Sequence, residues 1–141
     1  MASILNFTYC LAIEKKSQGT ENSESINAIS ILTQLSPETI PGMFSFAIAF
    51  SLLDLDLIKK NTIRICFSKD DHTTPIVDSG EVNLDAINAI PNSDIPSKYS
   101  GLNICMDLRN VIFESAGEYI TQIYLNGELI ESKAIYVKGK R

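Results

Sequence analysis

Apolar and polar residues alternate along most of this chain, and this is the period of extended strands whose successive side chains point to opposite sides. The alternation is clearest over residues 44–51, where bulky and small side chains take turns. We expect the bulky side to face a core, and the small side to meet water or to let another layer approach closely. The bulky residues are Phe44, Phe46, Ile48 and Phe50, and the small ones are Ser45, Ala47, Ala49 and Ser51.

The last 25 residues predict a β-hairpin. Strand-like runs at 118–125 and 128–137 flank Asn126-Gly127, and this dipeptide suits a type I′ turn because both central residues need positive φ. A two-residue turn pairs Leu125 with Glu128, and this register divides the apolar residues of the last strand between both faces. We favour a bulge at Gly127, which shifts the register by one residue and returns Ile135 and Val137 to the core.

The remaining segments also favour strands. Residues 5–13 place Leu5, Phe7, Tyr9, Leu11 and Ile13 on one face, and a polar stretch at 14–25 predicts an exposed loop. Further strands are predicted at 26–35, 63–67, 76–84 with a bulge at Gly80, and 102–108. Residues 85–98 predict one short helix or an irregular connection that Pro91 and Pro96 end. The whole chain, 1–141, is therefore predicted to be a single all-β antiparallel sandwich of about seven to nine strands.

Charge and cysteine content limit which binding partners and which cellular compartment we expect for this protein. A net charge of −5 over 141 residues means that binding to nucleic acid would need a local basic patch, and the basic tail at 138–141 is expected to be solvated. Cys10, Cys66 and Cys105 lie far apart in apolar segments, which favours buried free thiols in a reducing compartment. The apolar run at the start is only about ten residues long and lacks a basic leader, so we expect a cytoplasmic protein with no membrane contact.

The last third of the chain resembles a known family. The run from Asp107 to Ile130, with Gly117-Glu118-Tyr119 before the hairpin, and the start around Tyr9-Cys10-Leu11 are similar to an uncharacterised family of small bacterial proteins. The resemblance implies an immunoglobulin-like β-sandwich in a bacterial or phage cytoplasm, in which the glycine turns a corner and the tyrosine packs into the core. That family has no agreed activity, so the resemblance implies no catalytic residue.

Two acidic loops are the candidates for chemistry. His72 is the only histidine, and it follows Asp70 and Asp71 in a predicted turn, where such residues favour local hydrogen bonds. Asp54 and Asp56 would share one face of a strand, and paired carboxylates of this kind can bind calcium or hydrolyse a glycoside. We interpret both loops as solvated polar segments and predict no catalytic, cofactor-binding or metal-binding residue.

These observations favour a protein that is not an enzyme. Our leading hypothesis is a non-catalytic module that offers loops or an edge strand to a protein partner, or to a second copy as a homodimer. The alternative is a sandwich that binds carbohydrate or calcium through the Asp-rich loops and through surface tyrosines, Tyr99, Tyr124 and Tyr136. We expect neither nucleic acid nor membrane as a partner.

Overall fold

The computed structural model describes residues 2–17, 24–56, 60–70, 74–84 and 96–140, and these form two facing β-sheets. One sheet has four strands in the order β2-β1-β4-β8; the other has the order β3-β10-β9-β5-β6, with β7 also paired to β5. All pairs are antiparallel except β3 with β10. The strands are β1 (Ser3–Ser17), β2 (Glu24–Leu32), β3 (Gln34–Leu35), β4 (Gly42–Leu53), β5 (Thr62–Lys69), β6 (Val77–Asp78), β7 (Val82–Asn83), β8 (Gly101–Phe113), β9 (Gly117–Leu125) and β10 (Glu128–Val137).

The predicted antiparallel sandwich is confirmed, with more strands than expected. The predicted strand at 26–35 divides into β2 and β3 because the chain crosses from one sheet to the other, and Leu35 is buried in the second sheet. The strand at 76–84 divides at Gly80, whose φ is 68°, into β6 and β7. Strand β1 runs to Ser17 into the predicted loop. Most of the predicted connection at 85–98 lies outside the described residues, and its end forms a 3-10 helix at Ser97–Tyr99.

The core lies between the sheets and is rich in aromatic rings. The bulky side of β4 faces it as predicted, with Phe46 fully buried. The rings of Phe67 and Tyr119 stack at 5.7 Å, and Phe113 meets Tyr119 edge to face at 5.1 Å. Stacked and edge-on contacts are preferred aromatic geometries, and the one between Phe113 of β8 and Tyr119 of β9 joins the two sheets by directed packing as well as by burial.

One buried polar contact also joins the two sheets. The Tyr9 hydroxyl of β1 donates to the Lys133 carbonyl at 3.2 Å and lies 2.6 Å from Thr121 Oγ1. Because a tyrosine hydroxyl has one hydrogen, Thr121 donates to Tyr9 in return. Burial raises the pKa of Tyr9 to about 12, and the hydrogen bond with Thr121 opposes part of this rise.

Bulges set which residues face the core, and two predictions about them were wrong. Asn6 has a φ of 57° at a register shift, so Leu5 turns outward instead of sharing a face with Tyr9, and Leu11 is also exposed. In the hairpin, Asn126 and Gly127 form the predicted positive-φ turn. The register shift lies between Leu129 and Glu131 and not at Gly127, yet it buries Ile135 and Val137 as expected.

The four-stranded sheet curls toward its own outward side. Its edge strands β2 and β8 come into contact, whereas the edges of a flat four-stranded sheet would lie about 14 Å apart. Cys10, Ala47 and Ala49 point away from the core, since Tyr9 and Ile48 beside them point into it, and yet all three are buried. The small side chains of β4 therefore accommodate the curl, so the layer that approaches them belongs to their own sheet.

The connectivity and one corner identify the sandwich as immunoglobulin-like. Strand β4 pairs with β8 in one sheet, while β5, β9 and β10 are neighbours in the other, and the short β3 pairs in parallel with the last strand. At the corner before β9, Gly117 has a φ of 139°, and the buried Tyr119 donates its hydroxyl to the Ser115 carbonyl at 2.7 Å. This bond, back to the backbone four residues upstream, is the tyrosine corner of immunoglobulin-like sandwiches.

Candidate interaction surface and inter-sheet cleft

The outward side of the four-stranded sheet carries exposed aliphatic side chains. Ile31 lies opposite Cys10, and Cys10 lies opposite Ala47, so Ile31 shares their outward side; it is 68% exposed. Ile29 lies on the same side because it faces Ala12, two residues along β1. The large apolar residues exposed on this side are Leu5, Ile29, Ile31, Met43 and Ile112.

Strand β2 is an edge without charged residues between positions 25 and 32. Natural edge strands carry charges, prolines or bulges that discourage pairing with other chains. Strand β8, the other edge of the sheet, carries Asp107 and Arg109, while each edge has one residue with positive φ, Ser30 in β2 and Asn110 in β8. Residues 25–35 contain no charged side chain, and residues 29–31 are all exposed. The sequence alone showed this uncharged run, but residues 26–35 were interpreted only as a further strand.

The outward face of the six-stranded sheet is different, because polar side chains there bind one another. Arg64 donates to both carboxylate oxygens of Asp78, from Nε to Oδ1 at 2.9 Å and from Nη2 to Oδ2 at 2.5 Å. Its guanidinium also lies 5.8 Å from the centre of the Tyr124 ring. The hydrogen bond from Arg64, helped by the backbone N–H of Gly80, holds the pKa of Asp78 well below its ordinary value. Arg64 and Asp78 therefore satisfy each other's charge on this face.

A cleft of about 620 Å³ opens between the sheets at the end where β4 stops and the β9–β10 turn begins. It brings the predicted pair Asp54 and Asp56 together with Glu128, around an apolar floor. The two carboxylates do not share a strand face as predicted, because β4 ends at Leu53 and Asp54 takes a positive φ of 60°. The lining residues are Ala2, Asp54, Leu55, Asp56, Asn61, Leu125, Asn126, Glu128, Leu129 and Ile130.

Two amide side chains, the buried Asn61 and the exposed Asn126, hold the wall of this cleft together. Asn61 donates to the Asp56 carbonyl at 2.7 Å and accepts from Asn126 Nδ2 at 3.0 Å. Asn126 Oδ1 in turn accepts from the backbone N–H of Thr62 at 2.8 Å. These bonds fix the hairpin turn against the start of β5. The sequence identified Asn126 only as a turn residue, since its partner lies 65 positions away.

The other predicted candidates do not converge on one site. Asp70 is exposed and its backbone N–H donates to Glu118, while Asp71 and His72 lie outside the described residues. Tyr124 and Tyr136 share the outward face of the six-stranded sheet, but Tyr136 pairs with Glu118, six residues and about 20 Å along β9 from Tyr124. Tyr99 lies on the 3-10 helix beside β4 of the other sheet. The tyrosines therefore form no common stacking surface.

The thiols and the C-terminal segment have structural positions. Cys10 and Cys66 are buried and Cys105 is half-buried, all three as free thiols, and burial raises the pKa of the first two. In the described ranges, no three His, Cys, Asp or Glu side chains are grouped so that they could hold a metal ion. Lys138 and Lys140 are exposed as expected, but their backbone N–H groups donate to Leu35 and Pro37.

Comparison with known proteins establishes the family. A family model described as a family of unknown function, DUF6941, matches residues 17–138. The chain belongs to this family. No curated protein matches it. Among the described residues, no helix is long and apolar enough to cross a membrane.

Two solved structures are similar in fold. One is the alkylpurine DNA glycosylase AlkC of Pseudomonas fluorescens, bound to DNA with an abasic site analog, with a TM-score of 0.50 and 9% identity. The likeness covers 97% of this chain but only 30% of the glycosylase, so the chain spans less than a third of that protein. The other is an immunoglobulin-like protein from Pseudomonas aeruginosa, with a TM-score of 0.42 and 11% identity over 94% of this chain and 97% of that one.

Proposed function

We propose that this member of DUF6941 is a non-catalytic protein–protein interaction module that uses the β2 edge and the outward side of the four-stranded sheet. The observation that carries the proposal is the contrast between the edges. Strand β2 leaves Ile29 and Ile31 exposed within an uncharged run at residues 25–32, whereas β8 carries Asp107 and Arg109. An uncharged apolar edge favours the addition of a further strand, with main-chain hydrogen bonds providing affinity.

A protein partner suits this surface better than nucleic acid or membrane. The chain has a net charge of −5, which opposes phosphate contacts, and the aliphatic side chains of the surface offer apolar burial instead. The likeness to a DNA glycosylase is one of fold. The proposal assigns the domain no catalytic residue and no cofactor.

The proposal is tested by capture from an extract of the native host with matched variants. Ile29→Lys places a charge on the β2 edge, and Tyr136→Lys places one at an exposed position on the other outward face. We expect proteins captured by the wild type to be lost with Ile29→Lys and kept with Tyr136→Lys. Equal capture by the wild type and Ile29→Lys would contradict the proposal.

The cleft supports a second candidate function, the binding of a small ligand such as a carbohydrate. Its volume of about 620 Å³ lies in the range of small-molecule sites, and carboxylates around an apolar floor suit a polyhydroxyl compound. A thermal-shift panel of glycans and calcium tests it, with Glu128→Gln as the matched variant. A ligand that raises the Tm of the wild type more than that of the variant would support it, and an unchanged Tm throughout would remove it.

A further inference from the structure

The exposed segment of β2 has a sequence that is symmetric about Ser30. Ile29 and Ile31 flank it, and both point to the outward side of the sheet. In an antiparallel pair of two identical strands centred on this residue, Ile29 of one copy lies opposite Ile31 of the other, and the reverse contact forms as well. Ala28 and Leu32 pair in the same way on the inward side. Cross-strand pairs of β-branched residues stabilise a sheet, and a two-fold axis makes each pair twice.

The charge distribution favours contact between two copies at this strand. Each copy carries a net charge of −5, so two copies repel wherever their acidic surfaces meet. Residues 25–35 carry no charge, and a pair centred on Ser30 joins residues 28–32 of the two copies, because β2 ends at Leu32. This register brings no like charges face to face.

The backbone of β2 is compatible with such a pair. Ser30 has a φ of 57°, which interrupts the ladder at one residue, while the register with β1 is the same on both sides of it. The pairing would therefore consist of two short ladders related by the two-fold axis. Ile31 is 68% exposed, so the contact between β2 and β8 leaves this part of the edge open.

We propose that the partner of the β2 edge is a second copy of this chain, paired antiparallel about Ser30 so that the two four-stranded sheets become one sheet of eight strands. This inference rests on the proposed function and names its partner. The pair extends over residues 28–32, or about 17 Å, because β2 ends at Leu32, and an interface of one short strand pair belongs to the smallest class of protein interfaces. We therefore expect a weak dimer, with a dissociation constant on the order of micromolar.

Sedimentation equilibrium of the full chain across the micromolar range tests the dimer. We expect concentration-dependent dimerisation of the wild type, and Ile31→Lys should weaken it by at least about tenfold. The matched control is Tyr136→Lys, at a side chain that is 54% exposed on the outward face of the six-stranded sheet. A wild type that stays monomeric throughout, or a dimer that Tyr136→Lys weakens as much as Ile31→Lys does, would overturn the inference.

Cysteine cross-linking tests the register without relying on a lysine variant. In a Cys105→Ala background, Ser30→Cys places the two thiols opposite each other across the axis, and oxidation should give a covalent dimer. Asn27→Cys, exposed on the same strand, would lie about 20 Å along the ladder from its equivalent in the other copy and should stay monomeric. Equal cross-linking at both positions, or none at Ser30→Cys, would overturn the register.

The two proposals fail in different ways. A monomeric wild type whose captured partner depends on Ile29 would overturn the second-copy inference and leave the interaction module standing. A monomer whose capture is unaffected by Ile29→Lys would overturn both.

Discussion

The outward faces of the two sheets differ in chemistry. The outward face of the six-stranded sheet carries polar contacts, in which Arg64 binds Asp78 and lies over the Tyr124 ring. The four-stranded sheet buries its small side chains by curling and leaves aliphatic residues exposed at β2. Both sheets have the same alternation toward the core, so the difference lies in what covers the other side. This difference is the reason for proposing the β2 side, and not the face of the six-stranded sheet, as the contact surface.

The largest expected effect tests whether the outward side of β4 is closed. Ala47→Glu should lower the free energy of unfolding by about 3–5 kcal/mol, because Ala47 is fully buried and the new carboxylate would have no partner there. The matched control is Gln122→Glu, on the half-buried outward face of the other sheet, with an expected change within about 0.5 kcal/mol. Urea unfolding measures both. Similar decreases in the free energy of unfolding for the two variants would mean that Ala47 is no more buried from solvent than Gln122.

The next effect concerns the interior that both sheets share. Folding raises the pKa of Tyr9 from 10.0 to about 12. The contribution of Tyr9 to the free energy of unfolding is therefore complete below pH 10 and is lost as the pH rises toward 12. The loss amounts to about 2–3 kcal/mol in total. Urea unfolding at stepped alkaline pH should show a steeper decline for the wild type than for Tyr9→Phe. Parallel declines would show that the pKa of Tyr9 is not raised in the folded protein.

A smaller effect separates a tyrosine that holds the fold from one that faces solvent. Tyr119→Phe removes the bond to the Ser115 carbonyl and should cost about 1 kcal/mol. Tyr136→Phe, at a side chain that is 54% exposed on the outward face, should change stability by less than about 0.5 kcal/mol. Thermal unfolding of the two variants checks this order, and the reverse order would contradict the tyrosine corner.

The smallest expected effect concerns the ion pair of Arg64 and Asp78 on the six-stranded sheet. Because Arg64 holds the pKa of Asp78 low, the stabilisation from this carboxylate is present above its ordinary pKa and is lost as the pH falls. Carboxyl NMR titration should place the Asp78 midpoint below 3.8 and move it upward in Arg64→Gln. A midpoint that Arg64→Gln leaves unchanged would mean that this pair does not form in solution. High salt should act in the same direction as the substitution, since both groups are exposed.

Local chemistry in the sequence predicted several elements correctly. The turn at Asn126 and Gly127 follows from a dipeptide that accepts positive φ, and the inward face of β4 follows from its alternating bulky residues. The buried Tyr119 after Gly117 was expected from the resemblance. Each of these features depends on residues that are close together in the chain.

Features that depend on distant residues were missed. The hairpin register shifts near Ile130 and not at Gly127, because β9 is also fixed by its pairing with β5 and the bulge must suit both partners. The curl of the four-stranded sheet requires contact between β2 and β8, which are some 70 residues apart. The cleft likewise joins Asp54 to Glu128 from separate sheets. Periodicity alone cannot show such contacts, because it describes one segment at a time.

Amide hydrogen exchange at low and high protein concentration tests most directly whether the β2 edge is the contact surface. We predict slower exchange of residues 26–32 at high concentration, with no change in residues 120–124 on the six-stranded sheet. Exchange of β2 that is independent of concentration, or protection that develops at β8 instead, would contradict the account.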